Sequence, residues 1–273
     1  MAELDHFAEA FLEAAPDAVL ALDDSGLIIL VNVQTELLLG YGRQDLWGVP
    51  FESLLAEPEG VPPRSMGPHS VELLARRRDG STLPVEVSLA PVTIDRRPYT
   101  IAILRDLTER RRIEDNLHYL STHDSLTGLA NRFAFDEALA RLDETGPHPI
   151  GVLMVDLDEL KRVNDEQGHS AGDALLRRVA EVLRATFRAD DVVARIGGDE
   201  FAVLTSGRDA EAVEALGARL VEAVQLHNRE LDSTPLRVSI GVAIAESGGS
   251  IAAALHDADA RMYSMKRLHH GRS

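Results

Sequence analysis

Residues 149–156, Pro149-Ile-Gly-Val-Leu-Met-Val-Asp156, limit the fold more than any other stretch. Between Pro149 and Asp156 no side chain is polar, so neither face of an extended segment suits water. Such a run reads as a central strand covered on both faces. It delivers an acid, Asp156, to the strand's C-terminal end. A second constraint follows at residues 188–201, Arg-Ala-Asp-Asp-Val-Val-Ala-Arg-Ile-Gly-Gly-Asp-Glu-Phe. Two short apolar runs flank Gly197-Gly198-Asp199-Glu200, which predicts a β-hairpin with two carboxylates at its turn. The glycines allow a tight turn and the close approach of a ligand. Alone, such a turn would be a solvated tip; the rest of the chain gives it meaning.

The chain has 273 residues, enough for two domains. Its net charge of −17 disfavours nucleic acid or an anionic membrane as partner. A nucleotide stays open, because a bound cation can bridge two negative partners. With no cysteine, disulfides, thiolate catalysis and cysteine-held metals are excluded. Apolar runs such as residues 27–31 are too short to span a bilayer, and the first residues lack a signal peptide's basic and apolar regions. A soluble, cytoplasmic protein is expected.

Helical spacing at Phe7, Ala8, Phe11 and Leu12 predicts a helix over 4–15. Runs at 18–22 and 27–31 flank Asp23-Asp-Ser-Gly26, a hairpin signal. A short helix is expected at 35–39, two more turns within 43–55, and a loop over the Pro-rich 57–68. Residues 71–77 and 83–89 flank Asp79-Gly-Ser81, with Val85, Val87 and Leu89 on one face; 99–104 is a last strand. This gives a small antiparallel sheet with one helical face.

Pro16-Asp-Ala-Val19, Asn32, Leu38-Leu-Gly-Tyr41, Arg78-Asp-Gly-Ser81, Pro84-Val-Glu-Val87 and Arg105-Asp-Leu-Thr-Glu-Arg110 resemble a PAS domain. The resemblance implies a sensor or dimerisation module with no particular ligand; Trp47, Tyr41, His69 and His6 are the cofactor candidates, each also read as core or surface. Asp106, Thr108 and Glu109 are placed to cap the next helix. Ile113, Leu117 and Leu120 on it form a short coiled-coil seam.

Further on, a helix is expected at 133–143, then the central strand. A helix follows it, broken by Gly168-His169, and Asp173 opens a long helix over 174–187. After the hairpin come a helix at 209–226, a strand at 236–245 and a helix at 251–268. If neighbouring strands bring Asp156, Asp199 and Glu200 together, their repulsion calls for a divalent cation with hard oxygen ligands. Lys161 and Lys266 are then placed to meet phosphates.

His123-Asp-Ser-Leu-Thr-Gly-Leu-Ala-Asn-Arg132, Asp156-Leu-Asp-Glu-Leu-Lys161, Asn164-Asp165, Gly168-His169, Gly172-Asp173, Arg195-Ile-Gly-Gly-Asp-Glu-Phe201, Ser239-Ile-Gly-Val and Asp259-Ala-Arg-Met-Tyr-Ser-Met-Lys266 resemble a GGDEF domain, the diguanylate cyclase family. The expected fold class is α+β. A PAS-like antiparallel sheet with helices (1–107) is joined by a helical, coiled-coil stalk (108–122) to a nucleotidyl-cyclase-like α/β domain with a central sheet flanked by helices (123–273).

The resemblance implies condensation of two GTP into cyclic di-guanylate (cyclic di-GMP), with loss of two pyrophosphates. It implies Mg²⁺ or Mn²⁺ held by Asp156, the Leu157 carbonyl and Asp199, with Glu200 beside them. Asp199, Glu200 and Lys161 are the catalytic candidates. Asn164 and Asp173 would read guanine, and Lys266 would hold phosphate. Arg188 and Asp191 match the family's product-inhibition site. One site holds one GTP, so a homodimer through the PAS domain and stalk is expected. The family's basic residue four after Lys266 is here His270, with Arg272 two positions later. The alternative reading is a silent domain that binds cyclic di-GMP or GTP.

Overall fold

The structure is a computed structural model, and it describes residues 2–56, 69–145, 148–230 and 234–270. The Pro-rich 57–68 segment, the His69 and His270 side chains and Arg272 lie outside the described residues. The chain divides into two compact units, Met1–Asp115 and Asn116–Ser273.

The first unit starts with α1 (Ala2–Glu13), then β1 (Ala18–Leu22), β2 (Ile28–Val31), α2 (Val33–Leu39), α3 (Arg43–Leu46) and a 3₁₀ turn at Phe51–Leu54. The strands β3 (His69–Arg76), β4 (Thr82–Ile94) and β5 (Arg97–Asp106) follow. The sheet order is β2-β1-β5-β4-β3, antiparallel throughout. Leu20, Leu22, Leu39, Phe51, Val85, Val87 and Leu104 fill the space between sheet and helices. Each such side chain contributes about 1.5–3 kcal/mol of burial. Tyr41 packs against this core, while Trp47 is 67% exposed.

Asn32 explains why the first elements meet. Fully buried, it caps α2, its Oδ1 accepting from the N–H groups of Val19 and Thr35. Its amide donates to the carbonyls of Leu12 and Asp17, so one side chain ties α1, β1 and α2 together. The last two strands run longer than expected. They extend to Ile94 and back from Arg97 through a two-residue turn, Asp95-Arg96, with both residues left-handed. Neither residue is glycine, so the sequence signal for this turn is weak.

The helix α4 (Thr108–Thr122) begins where Asp106 Oδ1 accepts from the Thr108 N–H. Ile113, Leu117 and Leu120 on it are all more than half exposed.

The second unit continues with α5 (Arg132–Thr145), β6 (Ile150–Leu157), α6 (Leu160–Gln167), α7 (His169–Thr186), β7 (Val192–Arg195), β8 (Glu200–Ser206), α8 (Ala210–Glu230), β9 (Val238–Ala245) and α9 (Ile251–His270). The sheet order is β7-β8-β6-β9, and its named strands pair antiparallel. Every residue of β6 is buried, because both faces of the sheet are covered. Ile150, Val152 and Met154 pack with α5 and α9; Leu153, Val155 and Leu157 pack with α6, α7 and α8. The long helix starts at His169, so Asp173 lies inside α7 rather than at its cap. Gly168, at φ 84°, makes the break between α6 and α7.

Candidate active site

By the alternation of β6, Asp156 shares the face of Met154 and looks towards α9. Its ladder partners are Glu200 on β8 and Ser239 on β9. Lys266 of α9 donates from Nζ to Asp156 Oδ2 at 2.7 Å and lies 3.7 Å from Asp199 Oδ2. The Asp156 side chain is 3% exposed, and its Oδ1 is buried without a hydrogen-bond partner. Burial pushes the Asp156 carboxyl above its ordinary value; the Lys266 bond opposes this, and the charges of Asp199 and Asp158 add to it. Burial lowers the Lys266 ammonium, but its bond to Asp156 and the surrounding acids outweigh that and hold it raised.

The hairpin is tied to the same strand end, since the Leu157 N–H donates to the Asp199 carbonyl at 2.9 Å. Its glycines have different reasons for being glycine, and neither has a positive φ. A Cβ on Gly197 would stand 2.5 Å from Glu200 Oε2, so the Glu200 carboxylate folds over that residue. Around Gly198 the space is open, as an approaching ligand needs. Arg195 braces the turn: it is bonded to Asp124 at 3.1 Å and donates to the Gly198 carbonyl at 2.7 Å.

The other predicted residues lie on α6 and α7. Glu159, in the left-handed region at φ 63°, starts α6 and pairs with Arg162 and Arg237. Lys161 is exposed on its first turn. Asn164 lies against Gly172, where any Cβ would strike its Oδ1, and that oxygen is buried without a partner. Asp173, half-buried, is the next residue. The helix pair thus places Asn164 beside the Gly172-Asp173 segment.

Arg188 and Asp191 meet through the backbone: the Arg188 N–H donates to Asp191 Oδ2 at 2.9 Å. That oxygen also accepts from Arg208 at 2.7 Å, in a pair whose side chains are 5% and 9% exposed. The Asp191 carboxylate is therefore bonded to Arg208, while the Arg188 side chain is exposed on the surface.

Sequence reasoning assigned no role to Asp124, Arg195, Arg208, Asp158, Ser239 or His269, although Asp124, Asp158, Arg195 and Ser239 lie in the motifs that resemble the GGDEF domain. Their partners are distant in the chain, up to 111 positions for Asp158 and His269, so no local pattern shows what they bond. Among the described residues, no three His, Asp or Glu side chains form a group able to hold a metal. A cavity of about 430 Å³ lies between α8, β9 and the end of α9, lined by residues including Asp158, Val224, Leu236, Met265 and His269; none of the predicted site residues lines it.

Two family models match this chain: "PAS domain" over residues 16–109 and "Diguanylate cyclase, GGDEF domain" over residues 121–272. It is 30% identical over 279 residues to the probable diguanylate cyclase DgcE of Escherichia coli (strain K12), covering 96% of this chain and 25% of that protein. It is 31% identical over 274 residues to the cyclic di-GMP phosphodiesterase PdeR of the same organism, covering 95% of this chain and 42% of that protein. The chain thus spans between a quarter and about two-fifths of these relatives' length. Among solved structures, it resembles the coiled coil and GGDEF domain of DgcB from Caulobacter crescentus in complex with c-di-GMP. There the TM-score is 0.53 at 32% identity, covering 59% of this chain and 88% of that one. With a family match over more than half its length, on the unit that carries the acids and Lys266, the chain belongs to the GGDEF family of diguanylate cyclase domains and carries a PAS domain before it.

Proposed function

We propose that the chain is a PAS-regulated diguanylate cyclase that joins two GTP molecules into cyclic di-GMP. The observation that carries this reading is the buried, unpartnered Oδ1 of Asp156 at a strand end shared with Asp199 and Lys266. A buried carboxylate oxygen without a donor is costly unless a ligand completes it.

A divalent cation fits these residues. Asp156 has Glu200 as its ladder partner, and the like charges acting on it are those of Asp199 and Asp158. Burial and Asp199 have already raised the Asp156 carboxyl. Short of a three-acid group among the described residues, Asp156, Asp199 and the Leu157 carbonyl offer hard oxygen donors that Mg²⁺ or Mn²⁺ takes, substrate phosphate supplies the others, and Glu200 is the neighbour on the next strand. When bound, the ion supplies charge neutralisation for the phosphates and acidifies the attacking hydroxyl.

The chain's own residues do the rest. Asn164 and Asp173 hold the guanine edge, and the buried Asn164 Oδ1 would be left unpaired by a wrong base. Lys266 turns from Asp156 to a phosphate, and Lys161 steadies the developing charge. Asp199 takes the proton of the 3′-hydroxyl. That oxygen bonds to the other nucleotide's α-phosphorus, the α–β phosphoanhydride bond breaks, and pyrophosphate leaves. Two such events close the ring. Each needs a second GTP facing the first, hence a homodimer through the PAS domain and stalk; the exposed Ile113, Leu117 and Leu120 suit a parallel seam. Arg188 and Asp191 would bind the product and inhibit, with Arg188 the exposed contact. GTP as substrate places the activity in the cytoplasm.

The test is incubation of the purified chain with GTP and Mg²⁺, followed by pyrophosphate release and mass spectrometry of the nucleotides. Cyclic di-GMP that disappears in Asp199→Ala supports the reading. A dimer that binds GTP and makes no product overturns it in favour of a receptor.

A further inference from the structure

We propose that His269 is a positioning residue, which holds the last turn of α9, and with it Lys266, against the end of β6. The inference rests on the reading of Lys266 as a phosphate contact.

Strand residues two apart share a face, and helix residues three apart nearly do. Asp158 lies one residue past β6, but its N–H still donates to the Arg237 carbonyl, so it continues the face of Asp156 towards α9, and Lys266 and His269 point back. The result is a two-rung ladder: Lys266 Nζ to Asp156 Oδ2 at 2.7 Å, and His269 Nδ1 to Asp158 Oδ2 at 2.9 Å. The second rung is built into the interior. The Asp158 side chain is 2% exposed, and fully buried Ser239 donates its hydroxyl to Asp158 Oδ1 at 2.9 Å. Ser239 Oγ also lies 3.2 Å from His269 Nδ1, but an ionised carboxylate only accepts, so the His269 nitrogen facing Asp158 is its donor. Nδ1 is the donor nitrogen.

The two rungs differ in what the reaction asks of them. On the reading above, Lys266 turns from Asp156 to a phosphate, which breaks the first. Asp158 keeps Ser239 and His269, so the second persists. Before Lys266, α9 is anchored by Arg261 on the Val242 carbonyl and by Met265 Sδ, which accepts from the Ile240 N–H. After Lys266, His269 is the anchoring contact among the described residues. Helix ends fray when nothing holds them. His269 therefore keeps the end of α9 seated while Lys266 changes partner.

The experiment compares His269→Ala, His269→Asn and His269→Gln with the parent in the full chain. An Asn amide stands near the Nδ1 position and can still donate to Asp158; a Gln amide reaches the Nε2 position and cannot. We expect His269→Ala and His269→Gln to raise the KM for GTP about tenfold with a smaller change in kcat, the scale of one lost hydrogen bond to a charged group. Backbone amides over residues 263–269 should exchange faster in both. His269→Asn should restore both measurements to within about twofold. Parent-like KM and exchange in Ala and Gln would overturn the proposal, and so would an Asn variant as impaired as Gln. Should the Ala variant not fold, the Asn and Gln pair decides. If the parent neither binds GTP nor makes product, the cyclase reading fails, and the exchange measurement still decides whether His269 anchors the helix.

Discussion

Arg195 is bonded to Asp124, 71 positions earlier in the chain, at 3.1 Å, and its other terminal nitrogen donates to the Gly198 carbonyl at 2.7 Å. One guanidinium thus links the turn that follows α4 to the hairpin that carries Asp199. Replacing Arg195 with Ala leaves Asp124 and the Gly198 carbonyl short of a donor. We expect a loss of about 1–3 kcal/mol in urea unfolding and a larger fractional loss in turnover. Lys, a single point of charge, should rescue less than half of the stability, because it cannot fork between two acceptors.

Asp124 gives this link a pH dependence. Burial pushes its carboxyl up, but bonds from the Thr127 hydroxyl and N–H and from Arg195 hold it below its ordinary value. A depressed carboxyl contributes stability above its unfolded pKa and loses it as pH falls through the folded one. Titrating unfolding free energy from about pH 6 to about pH 3 should show a larger acid-side loss in the parent than in Asp124→Asn.

Asp156 has the opposite sign. Its raised carboxyl holds a proton more tightly in the folded than in the unfolded state. Its contribution is therefore favourable at low pH and is lost as pH rises from the unfolded value through the raised folded one. Asp156→Asn should abolish turnover and remove the fall in melting temperature that the Asp156 carboxyl imposes as pH rises towards neutral, while the loss of its bond to Lys266 offsets a net gain there.

Gly172→Ala is a small substitution with a directed effect. The new Cβ meets Asn164 Oδ1 and Cγ and lies 3.0 Å from Leu160 Cδ1. The Asn164 side chain must leave its place. Overpacking of this kind costs about 1–3 kcal/mol, and the KM for GTP should rise more than kcat falls.

The two hairpin glycines should part company under the same substitution. Gly197→Ala displaces the Glu200 carboxylate, whereas Gly198→Ala meets nothing within 4 Å. Melting curves and turnover of the pair are the check. If Glu200 assists at the site, only Gly197→Ala disturbs an existing side chain, and Gly198→Ala acts through ligand access alone.

Much of this architecture was readable in the chain. The unbroken apolar run at 150–155 identified the covered strand, since only burial on both faces tolerates it. Alternation at Val85, Val87 and Leu89 marked the inner face of the PAS sheet, and all three are buried. Less legible were the Asp95-Arg96 turn, which lacks glycine, and the start of α7, which begins at His169 rather than near Asp173. At the first, the β4–β5 ladder carries the chain into the turn whatever its residue types; at the second, Gly168 ends α6 and α7 starts directly after it.

The sequence by itself determined the elements, their order and the residue types brought to the strand end, because periodicity, caps and turn formers act over a few neighbouring positions. Tertiary structure alone decided who meets whom. It bonded Asp191 to Arg208, left Asp156 Oδ1 without a donor beside Lys266, and joined Asp158 to Ser239 and His269. The reason is physical. Hydrogen bonds and desolvation depend on distances of a few ångströms between atoms, and residues 17 to 111 positions apart acquire such distances only when the sheet and its helices close around a shared core.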